Sequence, residues 1–187
     1  MQISTRRRFI LGASSMGLMA TAACNNGLSS SGPATIDARV DSTLRYLYST
    51  YPGTRELSET AKGILVMPLV TKAGFGIGGS YGRGALRVGP STVDYYSTAQ
   101  ASIGLQIGAQ QYAHALFFMT DQALATFRNS PGFAVGADVE YVLKDRGENL
   151  SAETTTTLSP VLAFVFGQAG LIAGATIEGT KYTRIIP

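Results

Sequence analysis

Residue types able to do covalent or proton-transfer chemistry are scarce in this chain. Its 187 residues include one cysteine, Cys24, and one histidine, His114. A lone cysteine allows no intramolecular disulfide, and a lone histidine allows neither a His-paired nucleophile nor a multi-His metal site. His114 lies in the apolar run Ala113 to Phe118, where a hydrogen-bonded strand residue is expected rather than a catalytic base. Asp138 and Glu140, two apart, share a strand face and could be read as an acid–base pair. No nucleophile or ligand cluster accompanies them, so solvated or ion-paired carboxylates are expected. The residues therefore assign no catalytic group, metal site or cofactor.

Gly74, Gly76 and Gly79 match G-x-G-x-x-G. A dinucleotide site needs a helix directly after those glycines, its N-terminus receiving the pyrophosphate. Here Ser-Tyr-Gly-Arg-Gly follows, which no helix favours. A strand accounts for the segment better. Positions 74, 76, 78, 82 and 84 are all glycine and position 80 is Ser80, whereas Phe75, Ile77, Tyr81 and Arg83 fall on the opposite parity. One face would be nearly bare. Glycine costs roughly 0.5–1 kcal/mol per strand position relative to alanine, so Gly74, Gly76, Gly78, Gly82 and Gly84 need a close neighbour to justify them. The N-terminal helix is one such neighbour, and a ligand is the other.

Fifteen basic residues face twelve acidic ones. Three of the fifteen, Arg6, Arg7 and Arg8, lie in residues 1–23, which hold no acid. The rest of the chain is neutral and exerts no long-range pull on a phosphate backbone, so no nucleic-acid partner is expected.

Residues 1–23 read as an export signal. Thr5-Arg6-Arg7-Arg8-Phe9-Ile10 resembles a twin-arginine leader, although Arg pairs also occur in general secretory leaders. Phe9 to Ala23 is apolar but short of the roughly 20 residues that cross a bilayer. Thr21-Ala22-Ala23-Cys24 resembles the lipobox of lipoproteins, and a thiol is the group that accepts the diacylglyceryl unit. Cys24 is therefore expected to be lipidated; an ordinary Ala-x-Ala-like cleavage site is the alternative. Asn25 rather than Asp after the cysteine points, by analogy, to the outer membrane of a bacterial envelope. Residues 24–34 read as a tether rich in Gly, Ser and Asn, and residues 35–187 as one domain.

A helix is expected from Thr35, as N-cap, to Tyr51, with Ile36, Val40, Leu44, Leu47 and Tyr51 on one stripe. Its charges Asp37, Arg39, Asp41 and Arg45 balance, which suits packing on its own domain better than lying on a membrane. A short helix is expected over Thr54 to Thr60 and another over Gln122 to Arg128, capped by Thr120-Asp121. Strands are expected at Ile64 to Val70, Ser102 to Gln110, Ala113 to Phe118, Phe133 to Lys144, Val161 to Phe166 and Leu171 to Arg184. Too few crossover helices remain for βαβ units. The class is α+β: an antiparallel twisted sheet or partly closed barrel, with an N-terminal helix and one or two short helices packed on it.

Six blocks together resemble the SYLF domain: Ala61-Lys62-Gly63-Ile64, Lys72 to Gly79, Tyr81-Gly82-x-Gly84, Ser102 to Gln110, Gly136-Ala137-Asp138 and Gly170 to Gly179. They keep the family's order from about residue 35 to the C-terminus. The resemblance implies a lipid-binding module. Eukaryotic members bind phosphoinositides and some bind actin, whereas bacterial members are mostly exported or lipoprotein forms. The mixed-charge first helix departs from the basic amphipathic segment of eukaryotic relatives, and no actin partner is expected in a bacterial envelope. Lys62 and Lys72 match family positions, and Arg83 and Arg87 lie on or just beyond the glycine run, so these four are the candidate contacts to lipid phosphate. The expectation is a non-enzymatic envelope lipoprotein, held to the membrane by its anchor, that meets phospholipid headgroups or acyl chains. A structural lipoprotein contacting other envelope components is the alternative.

Overall fold

The structure, a computed structural model, describes residues 32–134, 139–142, 159–167, 170–171, 177 and 179–187. The expectations for the leader, Cys24, most of the tether and Asp138 fall outside the described residues. So do residues 135–138 and 143–144 of the expected strand Phe133 to Lys144.

Helix α1 spans Gly32–Thr50, so it begins three residues before the expected start and Thr35 is not its N-cap. Pro33 explains the earlier start, because its fixed φ and missing N–H cost nothing in a first turn. Residues 32–34 are thus helix rather than tether. Ile36, Val40, Leu47 and Tyr51 are buried, and Leu44 packs half-buried against them. Pro52 ends the helix, and α2 follows at Gly53–Thr60. The buried Thr54 hydroxyl donates to Tyr51 O at 2.7 Å, satisfying a carbonyl at the helix end.

A single long hairpin dominates the rest. Strand β1, Gly63–Val88, runs antiparallel to β2, Ser91–Phe118, around the turn at Gly89 and Pro90. Gly89 has φ +57°, a left-handed conformation that glycine adopts without strain. The ladder shifts register between Met67 and Val70, between Phe75 and Gly76, and between Leu86 and Arg87. Pro68 sits in the first of these irregularities, where a missing N–H is tolerated. Helix α3, Asp121–Asn129, begins with Thr120 Oγ1 accepting the Ala123 N–H at 3.2 Å. The remaining strands are β3 (Phe133–Ala134), β4 (Val139–Val142), β5 (Val161–Gly167), β6 (Gly170–Leu171) and β7 (Lys181–Ile185).

Among the described residues these strands form one curled half-barrel sheet in the order β3-β7-β2-β5-β4, with β1 on β2 and β6 on β5. The pairings are antiparallel except β4 with β5, which is parallel. The α+β reading holds. The curl divides the apolar residues into two cores. Ile64, Val66, Ala115, Phe117, Leu162 and Phe164 pack beneath α1 and α2. Leu65, Met67, Leu86, Leu116 and Phe118 face the interior of the half-barrel with Tyr96, Tyr182 and Phe127. Phe127 closes that interior from α3, its ring 4.7 Å from Tyr96, 4.8 Å from Phe118 and 5.1 Å from Phe133. Each such fully buried ring or leucine contributes on the order of 1.5–3 kcal/mol relative to exposure.

The glycine run lies inside β1, with no helix after it, so nothing there resembles a phosphate-binding turn. A side chain at Gly84 would overlap Val66 O and Met67 Sδ, and its Cβ would lie 2.9 Å from the Val66 carbonyl carbon. A Cβ at Gly82 would lie 2.8 Å from both Leu69 O and Val70 Cγ2. The element that occupies the bare face at Gly82 and Gly84 is neither the N-terminal helix nor a ligand. It is the beginning of the same strand, folded back by the curl. Farther along that face, Gly74, Gly76 and Gly78 pair with Gly108, Gly104 and Ser102.

Candidate ligand groove

The N-terminal helix is held to the sheet at two places, and the space between its middle and the sheet is the candidate site. At the hairpin end, Arg87 Nη2 lies 2.6 Å from Asp41 Oδ1 and 3.6 Å from Asp37 Oδ1. Asp37 also accepts from Thr92 Oγ1 at 2.8 Å and from Tyr95 Oη at 2.9 Å. Burial, and next the bond to Asp37, push the Tyr95 phenol up. Both acids of α1 are therefore engaged by its own domain, although Asp41 stays exposed, as do Arg39 and Arg45. At the β5 end, the Tyr46 ring stacks on Phe166 with centroids 6.1 Å apart, and Tyr46 Oη donates to Gly167 O at 3.3 Å.

Beside that second attachment runs an open groove of about 690 Å³, a size within the roughly 300–1,000 Å³ of small-molecule sites. Ser42, Thr43 and Tyr46 of α1 line one wall. Pro68 and Leu69 at the β1 irregularity line another, where Leu69 is exposed despite its size. Gln110, Gln111, Tyr112 and Ala113 come from β2, and Phe166 and Gly167 from β5. Among the described residues the lining carries aromatic and aliphatic surface with amides and hydroxyls, and no charged side chain. Burial pushes the Tyr112 phenol up, the Ser80 hydroxyl working weakly the other way, so the phenol is neutral at physiological pH.

The four candidate cations are placed separately. Arg87 is held by α1, with its side chain 14% exposed and Nη1 donating to Pro90 O at 3.3 Å. Lys62 is exposed at the entry to β1, its backbone N–H donating to Phe118 O. Arg83 is exposed and opposes Ser97. Lys72 alone adjoins the groove: it is half-buried and directly opposite the groove residue Gln110. The sequence reading named none of the residues that build the groove as site residues. The Gln110-Gln111 pair between an alternating strand and an apolar run was a signal that could have marked it.

His114 is fully buried in the half-barrel, Nε2 lying 2.7 Å from Tyr182 Oη. Desolvation lowers its pKa to about 3, so the ring is neutral at physiological pH. Its place is structural, linking β2 to β7.

These features define an α+β domain in which a curled hairpin carries a helix and leaves a neutral groove beneath it. A family model described as Ysc84, Las17-binding protein actin regulator, matches residues 99–184, from the middle of β2 to β7. Residues 99–184 are thus similar to the SYLF domain family. The β2 and β5 walls of the groove fall within the match, whereas α1 and β1 precede it. A comparison with curated proteins finds no match.

Proposed function

We propose that this protein is a non-enzymatic bacterial envelope lipoprotein, acylated at Cys24, whose domain binds phospholipid or a related amphiphile. The observation that carries the reading is the groove between α1 and the sheet, apolar enough for hydrocarbon and neutral among its described lining residues. A second feature agrees with it. Because Asp37 and Asp41 are engaged by Arg87, Thr92 and Tyr95, the charges that α1 offers to an anionic surface are Arg39 and Arg45. Each basic group near an anionic bilayer contributes on the order of 1 kcal/mol. Two acyl chains at Cys24 would supply the anchor, so the domain itself need not hold the membrane.

Intact mass of the membrane-extracted protein, with native mass spectrometry of what accompanies it, tests both halves. A mass corresponding to Cys24 plus diacylglyceryl and retained lipid is expected. An unmodified Cys24 refutes the anchor, and a lipid-free domain that ignores anionic liposomes at low salt refutes the binding. The second outcome would favour protein contact instead, because β1 pairs only with β2 among the described residues and so presents a strand edge.

A further inference from the structure

We infer that the groove takes one acyl chain of a glycerophospholipid and that Lys72, at its rim, receives the phosphate. This deepens the lipid-binding reading and rests on it. The argument starts from charge. An ion placed among Tyr46, Leu69, Ala113 and Phe166 would lose its hydration with no counter-ion among the described lining residues to replace it. A charged headgroup therefore has to lie outside, and only the hydrocarbon part of an amphiphile enters.

The headgroup's place follows from the ladder. Directly opposed residues on paired strands hold their Cβ atoms about 5 Å apart, so Lys72 stands next to Gln110 where the groove meets the sheet. Lys72 is half-buried, yet makes no ion pair among the described residues. A partly desolvated ammonium without a carboxylate is a ready partner for an anion. Arg87 cannot serve, since Asp41 and Asp37 hold its guanidinium, and Lys62 and Arg83 do not adjoin the groove. Gln110 and Gln111 are exposed and line the groove, Gln110 directly opposite Lys72, so their amides suit the ester and glycerol oxygens between chain and phosphate.

The test incubates the full chain with vesicles containing phosphatidylglycerol or uncharged diacylglycerol and counts retained lipid by native mass spectrometry. Ser42→Trp, and independently Gln111→Trp, fill the groove from exposed positions, and denaturation midpoints confirm that each folds. Either should cut retention of both lipids about tenfold, and Lys72→Gln should cut phosphatidylglycerol about tenfold while leaving diacylglycerol within about twofold. Lys62→Gln should change neither, and excess inorganic phosphate should displace little, because the chain contributes most of the affinity. Retention unaffected by both tryptophans overturns the groove assignment while lipid binding stands. Equal effects of Lys72→Gln on the two lipids overturn the phosphate contact. A wild-type chain that retains neither lipid overturns the lipid-binding reading itself.

Discussion

Replacing Gly84 with alanine adds one methyl group, and the geometry says it should be among the most damaging small changes available. The new Cβ would overlap Val66 O and Met67 Sδ, with the Val66 carbonyl carbon 2.9 Å away. The methionine can rotate away, but the carbonyl belongs to the main chain of β1 and cannot. Val66 is itself fully buried beneath α1, so moving it disturbs both cores at once. Overpacking that side chains can absorb costs roughly 1–3 kcal/mol, and a backbone obstacle should push the loss to about 3 kcal/mol or more. That is a large part of the roughly 5–15 kcal/mol that holds an ordinary domain together. Three companions calibrate the effect. Gly82→Ala meets Leu69 O and Val70 Cγ2 at 2.8 Å and should cost about 2 kcal/mol. Gly89→Ala meets nothing within 4 Å but carries φ +57°, so it should cost about 1–2 kcal/mol of backbone strain. Gly79→Ala meets only Gln100 O at 3.3 Å and gains back about 0.5–1 kcal/mol of glycine entropy, so it should be neutral or better. Urea denaturation followed by circular dichroism reads all four. A Gly84→Ala protein within about 0.5 kcal/mol of wild type would refute the self-packing of β1.

Acidification should weaken the fold through His114. Its pKa is lowered from 6.5 to about 3 in the folded state, so the unfolded chain binds the extra proton first. Stability is full above about pH 6.5 and falls toward pH 3, by at most about 5 kcal/mol at 1.36 kcal/mol per unit. In His114→Gln that part of the slope should vanish, and identical slopes would contradict the assignment. Arg87→Met should cost about 1–2 kcal/mol by releasing Asp41 and Asp37 from the hairpin, an effect that 1 M salt should shrink in the wild type. Among the described residues Thr98 Oγ1 is buried without a hydrogen-bond partner, so Thr98→Val should leave stability unchanged or raise it by about 1 kcal/mol; a clear loss would reveal a bridging water.

The class of fold and several elements were legible because they rest on local periodicity. The stripe Ile36, Val40, Leu47 and Tyr51 is buried as its spacing requires, and Thr120 caps α3. The apolar run Ile64 to Val70 does divide between two cores. Other readings failed where periodicity breaks. Three separate strand assignments turned out to be parts of one hairpin, because register shifts at Met67/Val70 and Phe75/Gly76 interrupt the alternation. The stretch from Ser91 to Ala101, polar and tyrosine-bearing, was not recognised as strand, yet it pairs with both β1 and β7. Of the expected strand Leu171 to Arg184, Leu171 belongs to β6, Gly179 to a turn with φ +74° and residues 181–184 to β7, while residues 172–176 and 178 lie outside the described residues.

Alternation alone assigned Gly82 and Gly84 to one bare face, because side-chain direction along a strand is a local property. What lies against that face was decided by the curl, which returns Val66 and Leu69 to the strand they began. Charge divides in the same way. Composition shows a first helix with balanced signs, but only the docked structure pairs both acids with Arg87, Asp41 from an exposed position, and leaves Arg39 and Arg45 facing water. The groove, too, is made of residues from α1, β1, β2 and β5 that no sequence spacing links. Contacts between distant segments depend on how the sheet bends, and that bend is a property of the whole hairpin rather than of any window within it.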